Sequence, residues 1–183
     1  MRVRFAGFGG QGVVLSGFIV GKAAMLDGKC SIHTQSYGSA SRGGLTRSDV
    51  VIEEGEIYDL INDEVDVLVA MSQQSHDAFR RILTPDGLLF YETDLVQLGD
   101  PAPRCYGIQA TDIAFKTFGR KIMANILMLG FVNEIARLVS PDSLAETIRR
   151  TVPRGTETKN IAALNEGIRL GAAASREGSG VAR

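Results

Sequence analysis

Two cysteines, two histidines, a net charge of −1 and no long uninterrupted apolar run are what this 183-residue sequence has little of. Each shortage excludes something. Cys30 and Cys105 cannot supply the four thiolates of an iron–sulfur cluster or a zinc knuckle. They leave open a single disulfide or two isolated thiols, the latter suiting a reducing cytoplasm. His33 and His76 are too few for a histidine-rich metal centre. Twenty basic residues against 21 acidic ones lack the excess that broad nucleic-acid binding requires, although a local patch stays open. The uncharged stretch from Phe5 to Gly21, after Met1-Arg2-Val3-Arg4, superficially resembles a secretory signal. Glycines at 7, 9, 10, 12, 17 and 21 make it a poor apolar helix, and it falls short of the ~20 residues of a membrane span. The expectation is a soluble, cytoplasmic protein with no place in a membrane.

What is present is ordinary core-forming material: 44% apolar residues and 21 glycines. A chain of this length should fold to a radius of gyration of roughly 16 Å. It should bury about 70% of its unfolded surface, so no staple is needed. Val3-Arg4-Phe5-Ala6 reads as a strand running into Gly7-Phe8-Gly9-Gly10-Gln11-Gly12. The next stretch, to about Leu26, is apolar nearly all round and is predicted as a helix covered on more than one side. Gly17 and Gly21 inside it imply close backbone approach, and Asp27-Gly28 stops it. Strands follow at about Cys30–Gln35, Thr46–Glu53 and Val65–Ala70. Ser72-Gln73-Gln74 opens a helix to about Leu83. Thr84-Pro85-Asp86-Gly87 reads as a turn launching Leu88–Tyr91, and Tyr106–Ile108 is a further short strand. Lys121 to Val139 is predicted as one long helix with two apolar faces. Ser140-Pro141 caps the next, and a last helix carries Ile161, Leu164, Ile168 and Gly171. No internal repeat or linker is visible. The prediction is an α/β fold: a three-layer, open, mainly parallel sheet with a Rossmann-like start and a helical C-terminal part. Residues 1–175 form one domain, with 176–183 as a frayed tail.

Gly7-x-Gly9-x-x-Gly12, after a strand and before a helix, has the context of a dinucleotide fingerprint, in which backbone amides approach a pyrophosphate at the helix start. An NAD site also wants a carboxylate at the end of the second strand. Ser31-Ile32-His33-Thr34-Gln35 offers none, so an anion cradle survives better than a nicotinamide site. The plain alternative is a tight strand–helix turn. The second loop, Ser36 to Gly44, gathers hydroxyls, Tyr37, glycines and Arg42. Loops after the first and second strands should leave the same rim of an open sheet and converge, which would bring Arg42 over the first loop as a charge-assisted fork. A solvated surface arginine is the alternative. Ser72 suits helix capping, His33 a hydrogen-bonded strand position and His76 an exposed helical one. No carboxylate pair or Ser–His pair is recognisable.

Gly7-Phe8-Gly9-Gly10-Gln11-Gly12-Val13, Gln35-Ser36-Tyr37-Gly38, Arg42-Gly43-Gly44 and Ser48-Asp49-Val50 together resemble the gamma subunit of 2-oxoacid:ferredoxin oxidoreductases, a unit also found within the single-chain pyruvate:ferredoxin enzymes. The likeness spans nearly the whole chain, including Ser72-Gln73 and the helix with Asn125. Thr34-Gln35-Ser36-Tyr37-Gly38 most resembles the 2-oxoglutarate type. Ser39-Ala40-Ser41 departs from the more usual Pro-Glu-Ala/Met before the arginine. The resemblance implies one subunit of an enzyme that oxidatively decarboxylates a 2-oxoacid to its acyl-CoA and reduces ferredoxin. Thiamine diphosphate and iron–sulfur clusters then belong to alpha, beta and delta partners. The chain agrees by omission, having no Gly-Asp-Gly thiamine signature and no cysteine set.

The resemblance also implies a part in coenzyme A access. Gly9, Gly10, Gln11 and Gly12 would supply backbone donors to a phosphate-bearing ligand. Tyr37, Gly38, Arg42, Gly43 and Gly44 would close over it, and Ser72 and Gln73 would add polar contacts. Asn125 is expected to hold a helix–loop hydrogen bond rather than the ligand. No residue is assigned as catalytic or metal-binding. The apolar helices are expected to hold partner subunits, or a second copy in a homodimer of the isolated chain. The rival readings are a free-standing dinucleotide-binding protein and a purely structural subunit.

Overall fold

In a computed structural model, which describes residues 1–38, 44–58, 63–99, 104–177 and 180–182, the first strand is the pivot of the architecture. β1 (Arg2–Phe8) is buried along most of its length. It pairs antiparallel with β3 (Leu45–Glu53) on one side and parallel with β4 (Val65–Ala70) on the other. β2 (Cys30–Tyr37) lies outside β3, antiparallel to it. β5 (Leu83–Glu92), β6 (Cys105–Ile108) and β7 (Gly180–Ala182) extend the parallel side, giving the order β2-β3-β1-β4-β5-β6-β7. The sheet is thus mainly parallel, as expected, with an antiparallel hairpin on one flank.

Alternating side chains commit each strand to two faces. Val3, Phe5, Val67, Val69, Phe90 and Ile108 face one large core shared with the principal helices. Leu68, Ala70, Leu89, Tyr91 and Cys105 face a smaller cluster beside Phe79. On that second face β1 buries a charge: Arg4, only 5% exposed, forks onto the Asp49 carboxylate at 2.5 and 3.1 Å and lies over the Phe79 ring. A paired, hydrogen-bonded guanidinium is tolerable in a central strand where a lone one is not.

α1 (Val13–Leu26) packs between the sheet and the later helices. Its glycines permit this: a Cβ at Gly17 would run into Ser48, and one at Gly21 would meet Ser31 Oγ at 3.0 Å. The helix ends as predicted, with Gly28 at φ 79. α2 (Gln73–Phe79) continues as a 3-10 turn, Arg80–Ile82, directly into β5. Thr84–Gly87, expected as a separate turn, lies inside β5 as an excursion between Leu83, paired with Val65, and Leu88, paired with Val67. α3 (Ala110–Phe118) follows β6.

The predicted helix from Lys121 to Val139 needs correction. It opens as a 3-10 turn, Lys121–Met123, becomes α4 (Ala124–Ala136), and stops at Arg137 in the left-handed region at φ 52. Asn133 causes the fold-back: its amide donates to Val139 O at 3.0 Å and accepts from Val139 N at 3.1 Å. Every residue from Ala124 to Asn133 is buried, because α6 (Glu157–Glu177) covers the face turned from the sheet. The two apolar faces of α4 are therefore satisfied inside the chain rather than by partners. α5 (Pro141–Thr151) is capped by Ser140, as predicted. The tail also differs: Arg176 and Glu177 are helical, and Gly180–Ala182 pairs with the free edge of β6. Backbone groups suffice for that pairing, which is why apolar content did not announce it.

Among the described residues no helix is long and apolar enough to cross a membrane. Cys30 is exposed on β2 and Cys105 buried on β6, at distant positions in the sheet, and the two do not form a disulfide.

Candidate functional site

β1 and β2 point the same way because two antiparallel pairings intervene between them. Phe8 at the end of β1 lies beside Leu45, and Tyr37 at the end of β2 beside Thr46. The two glycine-rich loops therefore leave one rim of the sheet, and they touch: Gly9 N donates to Gly44 O at 3.3 Å. Arg42 and Gly43 lie outside the described residues. Gly38 N donates to Leu45 O at 2.8 Å, closing the neck of the second loop.

The first loop is held from within. Gln11 Oε1 accepts from Phe8 N at 2.6 Å, and its Nε2 donates to Met71 O at 2.8 Å, fastening the turn to the end of β4. Gln11 N donates to Phe8 O. Gly9 and Gln11, expected to offer amides to a ligand, thus spend them on the fold. Gly10 and Gly12 adopt φ 96 and 76, which glycine alone takes without strain. Their amides have no partner among the described residues, and the first turn of α1 has no side-chain cap. Asn125, 5% exposed, donates from Nδ2 to Gly12 O at 3.4 Å. A Cβ at Gly12 would run into that amide. Asn125 fills the helix–loop role expected of it.

Over this turn lies an open groove of about 750 Å3. Val14, Phe18 and Ile122 form an apolar wall, with Phe18 37% and Ile122 54% exposed. His33, Gln35 and Thr46 form a polar one, and Tyr37 stands at the mouth. His33, Gln35 and Tyr37 are alternate residues of β2 and so share a face. The sequence reading took only Tyr37 from this set, although period-two spacing was the available signal. His33 is pinned, its Nε2 2.7 Å from Ser48 Oγ and its ring edge-on to Phe18. Burial lowers its pKa and the Asp49 charge only partly opposes this, so it stays largely neutral at physiological pH.

Ser72 and Gln73 follow β4 on the same rim but do not line the groove. Ser72, 1% exposed, forms a capping box with Ser75. Gln73 donates to Asp77 at 2.8 Å and accepts from Gln97 N at 2.8 Å. Their side-chain polar atoms are committed to α2 and to Gln97 N rather than to the groove, which corrects the ligand role expected of them. His76, expected to be exposed, is half-buried with Nδ1 2.9 Å from Asp77. Farther along the rim, fully buried Glu92 accepts from Thr111 N and Oγ1, each at 2.8 Å, and so caps α3. Burial raises its pKa against the lowering effect of these bonds.

Among the described residues no cluster of three His, Cys, Asp or Glu side chains offers a metal site. A phosphate fits two glycine amides at a helix start, and an apolar wall suits the organic body that carries it. A dinucleotide would need a ribose-binding carboxylate beside β1. Here β3 intervenes, moving the end of β2 about 10 Å away at two strand spacings.

A family model described as pyruvate ferredoxin/flavodoxin oxidoreductase matches residues 2–170. The 2-oxoglutarate synthase subunit KorC of Methanocaldococcus jannaschii is 39% identical over 173 residues, spanning 92% of this chain and 92% of that one. Its counterpart from Methanothermobacter marburgensis is 40% identical over 176 residues, spanning 92% and 95%. In the solved structures, the gamma subunit of a keto/oxoacid ferredoxin oxidoreductase from Geobacter sulfurreducens superposes with a TM-score of 0.83 at 32% identity. It covers 94% of this chain and 98% of that one. A 2-oxoglutarate:ferredoxin oxidoreductase from Magnetococcus marinus, bound to 2-oxoglutarate, coenzyme A and succinyl-CoA, gives a TM-score of 0.85 at 21% identity. It covers 94% of this chain and 31% of that one, and the likeness is one of fold.

Proposed function

The chain belongs to the pyruvate ferredoxin/flavodoxin oxidoreductase family, and from that premise we propose that it is the gamma subunit of a 2-oxoacid:ferredoxin oxidoreductase of the 2-oxoglutarate type. The assembled enzyme decarboxylates the 2-oxoacid oxidatively, passes the acyl group to coenzyme A and delivers the electrons to ferredoxin. The KorC relatives, at 39% and 40% identity, support the 2-oxoglutarate reading over pyruvate. A pyruvate synthase subunit PorC from Methanothermobacter thermautotrophicus stands at 34%. Thiamine diphosphate and iron–sulfur clusters reside on alpha, beta or delta partners. Two cysteines on separate strands do not fit a cluster in this chain.

This subunit's own part is to bind coenzyme A through a phosphate. The observation that carries the reading is the pair of free glycine amides at an uncapped helix start, opening onto a groove with one apolar wall. Arg42, Gly43 and Gly44 are proposed to contact the same anion, with Gly10 and Gly12 beneath it and Tyr37 at the mouth. Val14→Glu tests this directly. A carboxylate in the first turn of α1 suits the helix dipole, so the fold is retained, yet it takes up the anion's place. Calorimetry of coenzyme A binding to the assembled complex is expected to show at least a tenfold loss for Val14→Glu and for Arg42→Ala. Unchanged affinity in both variants would remove the groove from the reaction and leave a structural subunit.

A further inference from the structure

Behind the glycine turn, on the side away from β2, lies a second chamber of about 360 Å3. It touches the first groove at Gly12, Leu15 and Ile122. Its walls come from three places where helices begin: the turn before α1, the 3-10 entrance to α4, and the Pro153–Thr156 link before α6. Arg120 and Lys159 line it, both exposed, and neither has an ion-pair partner among the described residues. No carboxylate lines it. Three other arginines on this surface are neutralised by neighbouring carboxylates: Arg137 by Glu134, Arg150 by Glu146 and Arg169 by Glu166. Arg120 and Lys159 thus bring two positive charges to one cavity with no carboxylate in its lining, and they point to an anion.

Asn125 supplies an independent indication. The residue is only 5% exposed. Nδ2 is committed to Gly12 O, whereas Oδ1 receives no donor among the described residues and the residue lines the chamber. An amide oxygen with no donor from the protein is free to accept from a ligand hydroxyl. Asn160 cannot serve, because its Nδ2 is held by Thr156 O at 2.9 Å and Thr156 Oγ1 at 3.1 Å. A ligand complementary to the chamber brings negative charge toward Arg120 and Lys159 and a donor toward Asn125.

We propose that this chamber is a second anion site, distinct from the glycine groove, that takes a phosphomonoester carried on a hydroxylated carbon skeleton. The phosphate lies between the guanidinium and the ammonium, and a skeleton hydroxyl donates to Asn125 Oδ1. Two sources share that chemistry: the 3′-phosphate and ribose of coenzyme A, or a free phosphorylated metabolite. The site stands whether or not the groove binds coenzyme A.

Phosphorus-31 NMR titration of inorganic phosphate into the full chain tests it. The background is Val14→Glu, which removes the groove as a competitor. Saturable binding is expected there, weakened at least tenfold when Arg120→Gln and Lys159→Gln are added; both positions are exposed, so thermal stability should not change. Absence of saturable binding, or equal affinity with and without the two substitutions, overturns the proposal. KM values for coenzyme A and dephospho-coenzyme A in the assembled enzyme, with only the two chamber substitutions, then identify the source. A rise of tenfold or more for coenzyme A alone assigns the 3′-phosphate. Unchanged values for both, with phosphate binding lost, assign a free phosphomonoester. An equal rise for both means that no phosphate is being read, and the proposal falls.

Discussion

Asp27 shows how one side chain can join distant parts of this chain. It ends α1, yet its carboxylate accepts from Ser140 N and Ser140 Oγ, both at 2.6 Å, at the head of α5. Burial alone would raise its pKa, but hydrogen bonds from Ser140 and Ser143 prevail and lower it. A carboxyl whose folded pKa is depressed adds stability above its unfolded pKa, and that contribution is lost as pH falls through the folded value. Asp27→Asn should therefore cost about 1 kcal/mol near neutrality, after allowance for solvent screening, and should flatten the acid limb of the stability curve. Urea midpoints from pH 7 down to 3 measure both effects; parallel curves for the two proteins would refute the linkage. Gln11 teaches a complementary lesson. It sits in a binding motif, but both ends of its side chain brace the turn so that neighbouring amides stay free.

At the scale of elements, α4 and α6 cross more closely than side chains of any size allow. A Cβ at Gly167 would collide with Leu127 O, and one at Gly130 with Leu164 O. Three glycines inside the α4–α6 pair cost helix propensity, which the close backbone approach offsets. Gly167→Ala should force the helices apart and destabilise by about 2 kcal/mol. In a chain of this size that lowers Tm by roughly 4–8 °C. Calorimetry would detect it, and a rise in Tm would mean that propensity outweighs packing. The same pairing is why the two apolar faces of α4 need no partner subunit to cover them. Apolar residues on two faces announce burial on two sides, but do not say whether the cover comes from the same chain.

For the molecule as a whole, protection should follow sheet order. β1 and β4 are central and buried, whereas β2 is an exposed edge strand. Hydrogen exchange on the full chain is expected to be slowest in β1, β4 and α4, and fast along the outer edge of β2. The Gly10 and Gly12 amides should exchange rapidly alone and slow down when coenzyme A is added to the complex. Protection of those two amides without ligand would show that they are already spent, as those of Gly9 and Gln11 are. The rim gathers functions that sequence order keeps apart: the anion turn after β1, the hairpin neck between β2 and β3, and the caps formed by Ser72 and Glu92 after β4 and β5.

By itself the sequence determined the local structure. Glycine positions, Asp27-Gly28, Ser140-Pro141 and the apolar periods specify turns, caps and most strands, because those choices depend on neighbours within a few residues. Its paired glycine motifs also carried the family. Only tertiary structure decided that β3 separates β1 from β2, that α6 covers α4, and that Gly180–Ala182 joins the sheet. Tertiary structure likewise decided which groups in the anion turn remain free, and that Arg120, Asn125 and Lys159 line one chamber. Those outcomes depend on which backbone donors and apolar faces find partners far away in the chain, and no local pattern encodes that competition.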